Sequence, residues 1–383
     1  MKKNKQNITF TCFWVASLAI VLRLAFCFGV SNYDMESYLI VSKLALSGAN
    51  IYEETSRYNY GFFWAAVLAF SRWAAGLSEQ LFRVYIVLIL SVVDIFLSAL
   101  LYKRYGAKTG LICLFFPTSI LLTGFHSQMD NWAILWAYCG WIILRQKQGE
   151  NWLLSALLLG FSLVQKHIFI FFPFWLGFSD LISGWRRKIM YSFIAYGIFL
   201  CSFLPFFGSQ AAAEGIFKNV FGYNSAEGIA TFPYFIKTIS ADLHAYLIDL
   251  QGYKYLFISS LLALGYYCRQ AKNELFYLYL VAVVALSSAL ANQYLAIPIV
   301  AICIKRNYLT WAFAAVSTAF LVLRSPAHLG ILPFFQQIFN SLPFREWWQI
   351  LFSLYACQFL LLIILCQRIL NIKKSPFAAS KKA

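Results

Sequence analysis

The sequence predicts an all-α, polytopic membrane protein with about 12 transmembrane helices and a first outer loop containing interfacial helices. Three observations carry that prediction. Hydrophobic residues make up 61% and aromatic residues 19% of the 383 positions, with a mean hydropathy of +0.68, whereas apolar content in soluble domains is about half. Apolar runs long enough to cross roughly 30 Å of hydrocarbon recur along the chain, unbroken rather than alternating, which selects helices over a barrel. The basic residues fall in clusters between these runs.

The runs suggest spans near 8–30, 83–102, 109–125, 131–144, 152–165, 168–182, 189–207, 250–268, 275–291, 293–304, 308–323 and 348–367. Clusters at Lys2–Lys5, Lys103–Lys108, Arg145–Lys147, Arg186–Lys188, Arg269–Lys272, Lys305–Arg306 and Arg368–Lys382 then share one side, as the positive-inside rule expects. On that side twenty Lys/Arg stand against three Asp/Glu, +17. On the other, ten stand against eleven, −1, while Arg23 and Asp94 lie within spans and cancel. The net charge of +16 is therefore a topology signal, and no nucleic-acid partner is expected.

Residues 61–77 are apolar but short, interrupted by Ser71 and Arg72, with Trp64 and Trp73 as interfacial anchors. Counting them as a span would export nearly all the basic clusters, so an interfacial helix is expected there. The first apolar stretch, about 23 residues, exceeds a usual signal h-region and reads as an uncleaved span. The nine cysteines sit in or beside apolar runs without Cys-x-x-Cys spacing, as small core residues. No linker or repeat divides the chain, so residues 1–383 form one membrane domain.

The longest outer loop is 31–82. Ser31-Asn32-Tyr33-Asp34 fits a capping box with Ser31 as N-cap, the helix running to Ser47 with Gly48 as its C′ residue. A carboxylate in the first turn of a helix stays ionised, as a base or metal ligand must. Glu36 stands two residues on, and Arg57 follows in the same loop. Arg23 and Asp94, the ionisable residues well inside spans, are expected to meet as a structural ion pair.

Asp34-Met35-Glu36 after the first span, then Gly48-Ala49-Asn50-Ile51-Tyr52, then Arg57-Tyr58-Asn59-Tyr60 opening an interfacial helix, resembles the membrane glycosyltransferases of the GT-C superfamily. The nearest likeness is to the GPI mannosyltransferase I type and its bacterial relatives. Asp94, Phe125-His126-Ser127-Gln128-Met129-Asp130, Lys166-His167 and Asn292-Gln293-Tyr294 extend it. Where the family usually carries a proline, this chain reads Gly61-Phe62. The likeness covers roughly the first 170 residues, and the remainder only in layout.

The resemblance implies an inverting glycosyl- or mannosyltransferase of the bacterial cytoplasmic (inner) membrane, with its site on the extracytoplasmic side. The donor would be a polyprenyl-phosphate sugar presented by membrane lipid, and the acceptor a hydroxyl on a glycan, glycolipid or protein. Asp34 would be the base, with Glu36 beside it as a second catalytic carboxylate. Arg57, Lys166, His167 and Arg324 would bind the donor phosphate, and Tyr58, Tyr60, His126, Gln128, Asp130, Asn292 and Gln293 would line the substrate pocket. A divalent cation, Mg or Mn, would bridge Asp34 or Glu36 to the phosphate. The outer loops at 208–249 and 324–346 would cover the site from the opposite side. A lipid-linked sugar flippase or small-solute transporter is the alternative, and it would require inverted repeats and midplane charge.

Overall fold

A computed structural model describes residues 2–28, 31–146, 149–222, 230–324 and 350–379, with the isolated positions 337, 341 and 343. Among them the chain is helical throughout, without strands. The order begins α1 (Lys2–Cys27), α2 (Tyr33–Leu46), α3 (Ile51–Glu54), α4 (Phe62–Ala75) and α5 (Glu79–Tyr105). It continues with α6 (Ala107–Leu114), α7 (Pro117–Gly124), α8 (Asp130–Gln146), α9 (Trp152–Gln165), α10 (Phe172–Phe178) and α11 (Trp185–Cys201). Then come α12 (Gln210–Ile216), α13 (Thr231–Ile239), α14 (Ala241–Asp249), α15 (Gly252–Tyr267), α16 (Leu275–Ala285), α17 (Ile299–Ile304) and α18 (Tyr308–Ala319). A last helix runs Leu354–Ala379.

Several of these helices are apolar enough for a membrane-embedded protein. Three pass by length and composition, Glu79–Tyr105, Trp185–Phe206 and Leu354–Ile372. The pair α6 and α7, bent by 44°, makes a fourth if taken as one span. The remaining apolar helices among the described residues are 10–17 residues long, so a count of twelve crossings does not follow from helix length. The breaks have local causes: Pro117 starts α7 and cannot continue α6, and a 3-10 turn at Asn292–Ala296 separates α16 from α17.

Helix α16 is apolar on every side, and ten of its eleven residues are buried, which makes it a central element. Trp141, Phe276, Phe169 and Tyr279 stack in succession, with centroids 5.8, 5.4 and 5.6 Å apart. Close helix approaches use glycine. A Cβ on Gly124 would lie 2.5 Å from the Arg23 carbonyl oxygen, and one on Gly160 would lie 2.8 Å from Ile198.

Five helices are tied together by the expected ion pair. Arg23 Nε lies 2.8 Å from Asp94 Oδ2, and both side chains are essentially buried. Arg23 also donates to the carbonyls of Ala19 and Leu114, and Asp94 accepts from Thr123 Oγ1 and Asn131 Nδ2 at 2.8 and 2.7 Å. Every polar end is satisfied, as a buried pair requires.

Helix α4 falls at the expected interfacial segment. Trp73 is exposed there, but Trp64 is fully buried and meets Tyr38 edge-on at 5.4 Å. Trp64 is therefore a core residue and not an interfacial anchor: at 3.6 residues per turn the two tryptophans, nine apart, leave opposite faces.

Asp94→Asn leaves the Arg23 guanidinium buried without its counter-charge, and a loss of about 3–5 kcal/mol is expected. Thermal unfolding in detergent checks it. Arg23→Leu combined with Asp94→Leu should cost less than the single change, because no charge is then stranded.

Candidate active site

The site is assembled from helix termini. Helix α2 begins one residue later than the sequence suggests: Asn32, not Ser31, is the N-cap, its Oδ1 accepting from the Met35 amide at 3.0 Å. Asn32 takes the position because it does two things that serine cannot. While Oδ1 caps, Nδ2 donates to the Phe125 carbonyl at 2.8 Å. Arg83 Nη2 donates to the same carbonyl at 2.6 Å. The turn after α7 is thus pinned to the start of α2 and the start of α5. Within it Ser127 adopts φ 56°, a left-handed conformation that tight tertiary fixing has to sustain. Helix α2 ends as expected, with Gly48 at φ +73° just after the C-cap Ser47.

This pinning brings three predicted residues to Asp34. Gln128 Nε2 donates to Asp34 Oδ2 at 2.7 Å. Asp130, fully buried at the start of α8, accepts from Lys166 Nζ at 2.8 Å. Both Asp130 and Lys166 are close enough to act on Asp34 electrostatically. Lys166 is buried and held by a carboxylate, so it does not snorkel to a polar surface. Its ammonium also sits 5.7 Å over the Tyr60 ring.

Burial raises the Asp34 carboxyl above the usual carboxylate range, Asp130's charge adds to this, and Lys166 and the Gln128 hydrogen bond oppose it. Burial likewise raises Asp130 against the pull of Lys166. His167, beside Lys166 and removed from water, is pushed down to about 4, first by burial and then by the neighbouring ammonium. It is a neutral imidazole at pH 7.

A cavity of about 230 Å³ opens next to this cluster. Of the predicted residues, Tyr60, Lys166, His167 and Gln293 line it. Asn59, Lys254, Ser287, Ser288 and Tyr294 line it too. The rest of the wall is apolar, including Phe171, Phe257 and Val283.

Other predicted residues stand elsewhere. Arg57 lies 3.6 Å from Glu36 and 4.1 Å over the Tyr33 ring, on the more exposed side of α2. His126 is buried in the pinned turn, and Asn292 neighbours the cavity-lining Gln293 without reaching the cavity. Arg324 ends a π-helical turn at Phe320–Arg324; its side chain, and most of the 324–346 loop, lie outside the described residues.

Tyr58 is a brace. Its hydroxyl donates to the Gly61 carbonyl at 2.6 Å and accepts the Ala65 amide at 2.9 Å, closing the start of α4. Gly61 donates its own N–H to the Val164 carbonyl at 3.0 Å, and a Cβ there would lie 2.6 Å from that oxygen. A proline at this position would delete the donor. The 58–61 elbow therefore docks directly on the end of α9 and sets Tyr60 beside Lys166. Part of the 208–249 segment meets the same loop: α12 packs on α3 so closely that a Cβ on Gly215 would clash with the Tyr52 carbonyl oxygen. Asn50 Nδ2 also donates to the Phe206 carbonyl at 2.8 Å.

The donor set for a metal ion is thin. Residues two apart on a helix do not face each other, and Glu36 points to Arg57 while Asp34 points to Gln128. A cation chelated between Asp34 and Glu36 does not fit this arrangement. Among the described residues no three His, Cys, Asp or Glu side chains gather to hold one.

Sequence reading passed over Asn32, Arg83, Lys254, Ser287 and Ser288. Asn32 adjoined the motif, but Arg83 and Lys254 sit at the starts of apolar runs, where a cation ordinarily marks the membrane boundary. No protein-family model matches the chain, and no curated protein matches it either.

Tyr58→Phe removes both hydrogen bonds of the brace, and a stability loss of about 1–3 kcal/mol is expected. Gly61→Ala should cost as much or more by forcing the elbow off α9. Thermal unfolding of the two variants beside wild type checks both.

Proposed function

We propose that this chain is an integral-membrane glycosyltransferase of the GT-C type. It transfers a sugar from a polyprenyl-phosphate donor to an acceptor hydroxyl, with Asp34 as the general base. The observation that carries the reading is the convergence at one point of a half-buried carboxylate, an ammonium and a cavity. Asp34 is held by Gln128 at 2.7 Å, and its electrostatic neighbour Lys166 lines the cavity. A carboxylate in that setting has the two properties a base needs: a fixed direction and a proton affinity above that of a solvated acid.

The chemistry follows from the layout. The acceptor oxygen attacks the anomeric carbon from the face opposite the phosphate, its proton passes to Asp34, and the C–O bond to the phosphate breaks with inversion. A weakly basic carboxylate suffices because proton loss is late in an oxocarbenium-like transition state. The phosphate leaves into the cavity that Lys166 and the neutral His167 border, and Gln293 and Tyr60 offer polar contacts to the sugar. Glu36 and Arg57 form a pair at the margin, suited to acceptor contact. Asp34 and Glu36 diverge, so a divalent cation would rest on one of them and the phosphate, where it would neutralise charge on the leaving group.

In this reading the chain crosses a bacterial cytoplasmic membrane about twelve times, short helices and bent pairs included, with the 31–82 loop outside. The acceptor is a glycan, glycolipid or protein. Transport is disfavoured because the charges inside the spans, Arg23 and Asp94, are consumed in their own network.

Asp34→Asn is expected to abolish transfer, a loss on the order of a hundred-fold or more, while stability and donor binding stay near wild type. Asn32 is the cap of α2, so the substitution spares the helix start. Near-wild-type turnover with the matching donor and acceptor removes the assignment. Because burial raises Asp34, the acid limb of kcat/KM should lie above the ordinary carboxylate value of about 4. Activity falls as pH drops through it, since a protonated carboxyl cannot accept the acceptor's proton.

Sidedness is tested by thiol labelling of Glu54→Cys and Lys108→Cys in sealed cells, with the exposed native Cys12, Cys201 and Cys366 replaced. The two should label from opposite sides; labelling from one side contradicts the topology.

A further inference from the structure

Lys166 is the first cation one would assign to a phosphate, but its charge is already matched. Its ammonium lies 2.8 Å from Asp130 Oδ2 with both side chains buried, and Asp34 adds a second carboxylate close by. His167, pushed down to about 4, adds no charge at neutral pH. Where Lys166 meets the cavity, two carboxylates just behind the lining, Asp130 and Asp34, therefore stand against one ammonium. A phosphate entering there would meet net negative charge and be repelled.

The compensating charge stands on another wall. Lys254, in the first turn of α15, lines the same cavity and is only partly exposed. Its ammonium forms no hydrogen bond or ion pair with any described residue. Around it the lining is largely apolar, with Phe257 one turn further along α15 and Phe171 and Val283 nearby. The polar exceptions are Ser287 and Ser288 after α16, and Gln293. An ammonium on a largely apolar cavity wall, with no counter-charge from the protein, is left available to an anion that enters the cavity.

We propose that Lys254 binds the phosphate of the lipid-phosphate donor, whereas Lys166, committed to Asp130, is a positioning residue that fixes the turn carrying Gln128 beside Asp34. The assignment rests on the glycosyltransferase reading above. It gives the two lysines separate work. One holds protein to protein in the first half of the chain, and the other brings a free positive charge from the second half to the leaving group. One unmatched ammonium suits a sugar-linked phosphodiester, which carries one negative charge.

The experiment measures binding, so that it stands apart from turnover. Purified full-length protein in detergent is titrated with a short-chain polyprenyl monophosphate, with the matching polyprenol, and with inorganic phosphate and phosphatidylglycerol as competitors. Wild type should bind the phosphorylated lipid at least about tenfold more tightly than the alcohol, and neither competitor should displace it at comparable concentration. Lys254→Gln should abolish that preference while still binding the alcohol as wild type does. Lys254→Arg, which keeps the charge, should retain most of it, and this rescue separates lost charge from a damaged fold. If wild type prefers the phosphate and Lys254→Gln keeps the preference, the Lys254 assignment is overturned and the enzyme reading stands. If wild type shows no preference at all, both are overturned. Displacement by inorganic phosphate or phosphatidylglycerol overturns the lipid-monophosphate specificity.

Discussion

The structure depends on how one buried carboxylate is satisfied. Asp94 sits inside α5, where no water can take its lone pairs, so its partners must come from the neighbouring helices. They do: Arg23 from α1, Thr123 from α7 and Asn131 from α8. Arg23 in turn reaches the Leu114 carbonyl at the end of α6. A network with so many donors has one geometry in which all of them close, and that geometry sets the register between α7 and α8. The residues between those helices, 125–129, inherit their position from it. Gln128 and Asp130 are therefore placed by a polar network whose members Thr123 and Asn131 flank them in the chain.

From this turn the rest of the site is built outward by backbone-directed contacts. The Phe125 carbonyl accepts from both Asn32 and Arg83, which ties the first turns of α2 and α5 to the same point. The Val164 carbonyl accepts the Gly61 amide, which ties the Tyr58–Tyr60 elbow to the end of α9. Both receiving carbonyls lie at helix ends, where the last C=O groups lack intrahelical partners. Aromatic packing then closes the back of the loop: Tyr52 meets Phe203 and Phe206 edge-on at 5.6 and 5.0 Å. Loops that carry functional groups usually trade order for access. Here the order is recovered by spending unsatisfied helix termini on the loop.

Much of this was legible in the chain. The Arg23–Asp94 pair follows from the cost of lone charges among apolar residues, and the C′ role of Gly48 from its backbone freedom. The grouping of Asp34 with Gln128, Asp130 and Lys166 is what the family resemblance implied, through motifs at the ends of successive apolar runs. What escaped has physical reasons too. Ser31 and Asn32 both cap well, and only the distant Phe125 carbonyl decides for asparagine. Trp64 and Trp73 are indistinguishable by composition, and helix phase alone buries one. Hydropathy reports burial from water without saying whether protein or lipid provides it. The almost entirely buried, eleven-residue α16 thus reads like a crossing although it is short for one. Lys254 escaped because a lysine at the edge of an apolar run has a bland explanation. Its meaning appears only when Lys166 is seen to be paired.

The two halves of the chain divide the site between them in a way that charge explains. Asp34, Gln128, Asp130 and Lys166 all come from the first 166 residues and are paired internally, Gln128 with Asp34 and Lys166 with Asp130, so the charges on this side are met by protein contacts. Lys254, Ser287, Ser288 and Gln293 come from the second half, and Lys254's ammonium is left unpaired among the described residues. A base has to be held in one direction and shielded from water, and fixed neighbours supply that. A group that receives a lipid phosphate must instead be free to accept a ligand and release it, which a saturated ion pair cannot do. In the proposed reading, the base on the tightly braced side and the phosphate-binding lysine on the other would meet both demands without a single residue serving two of them.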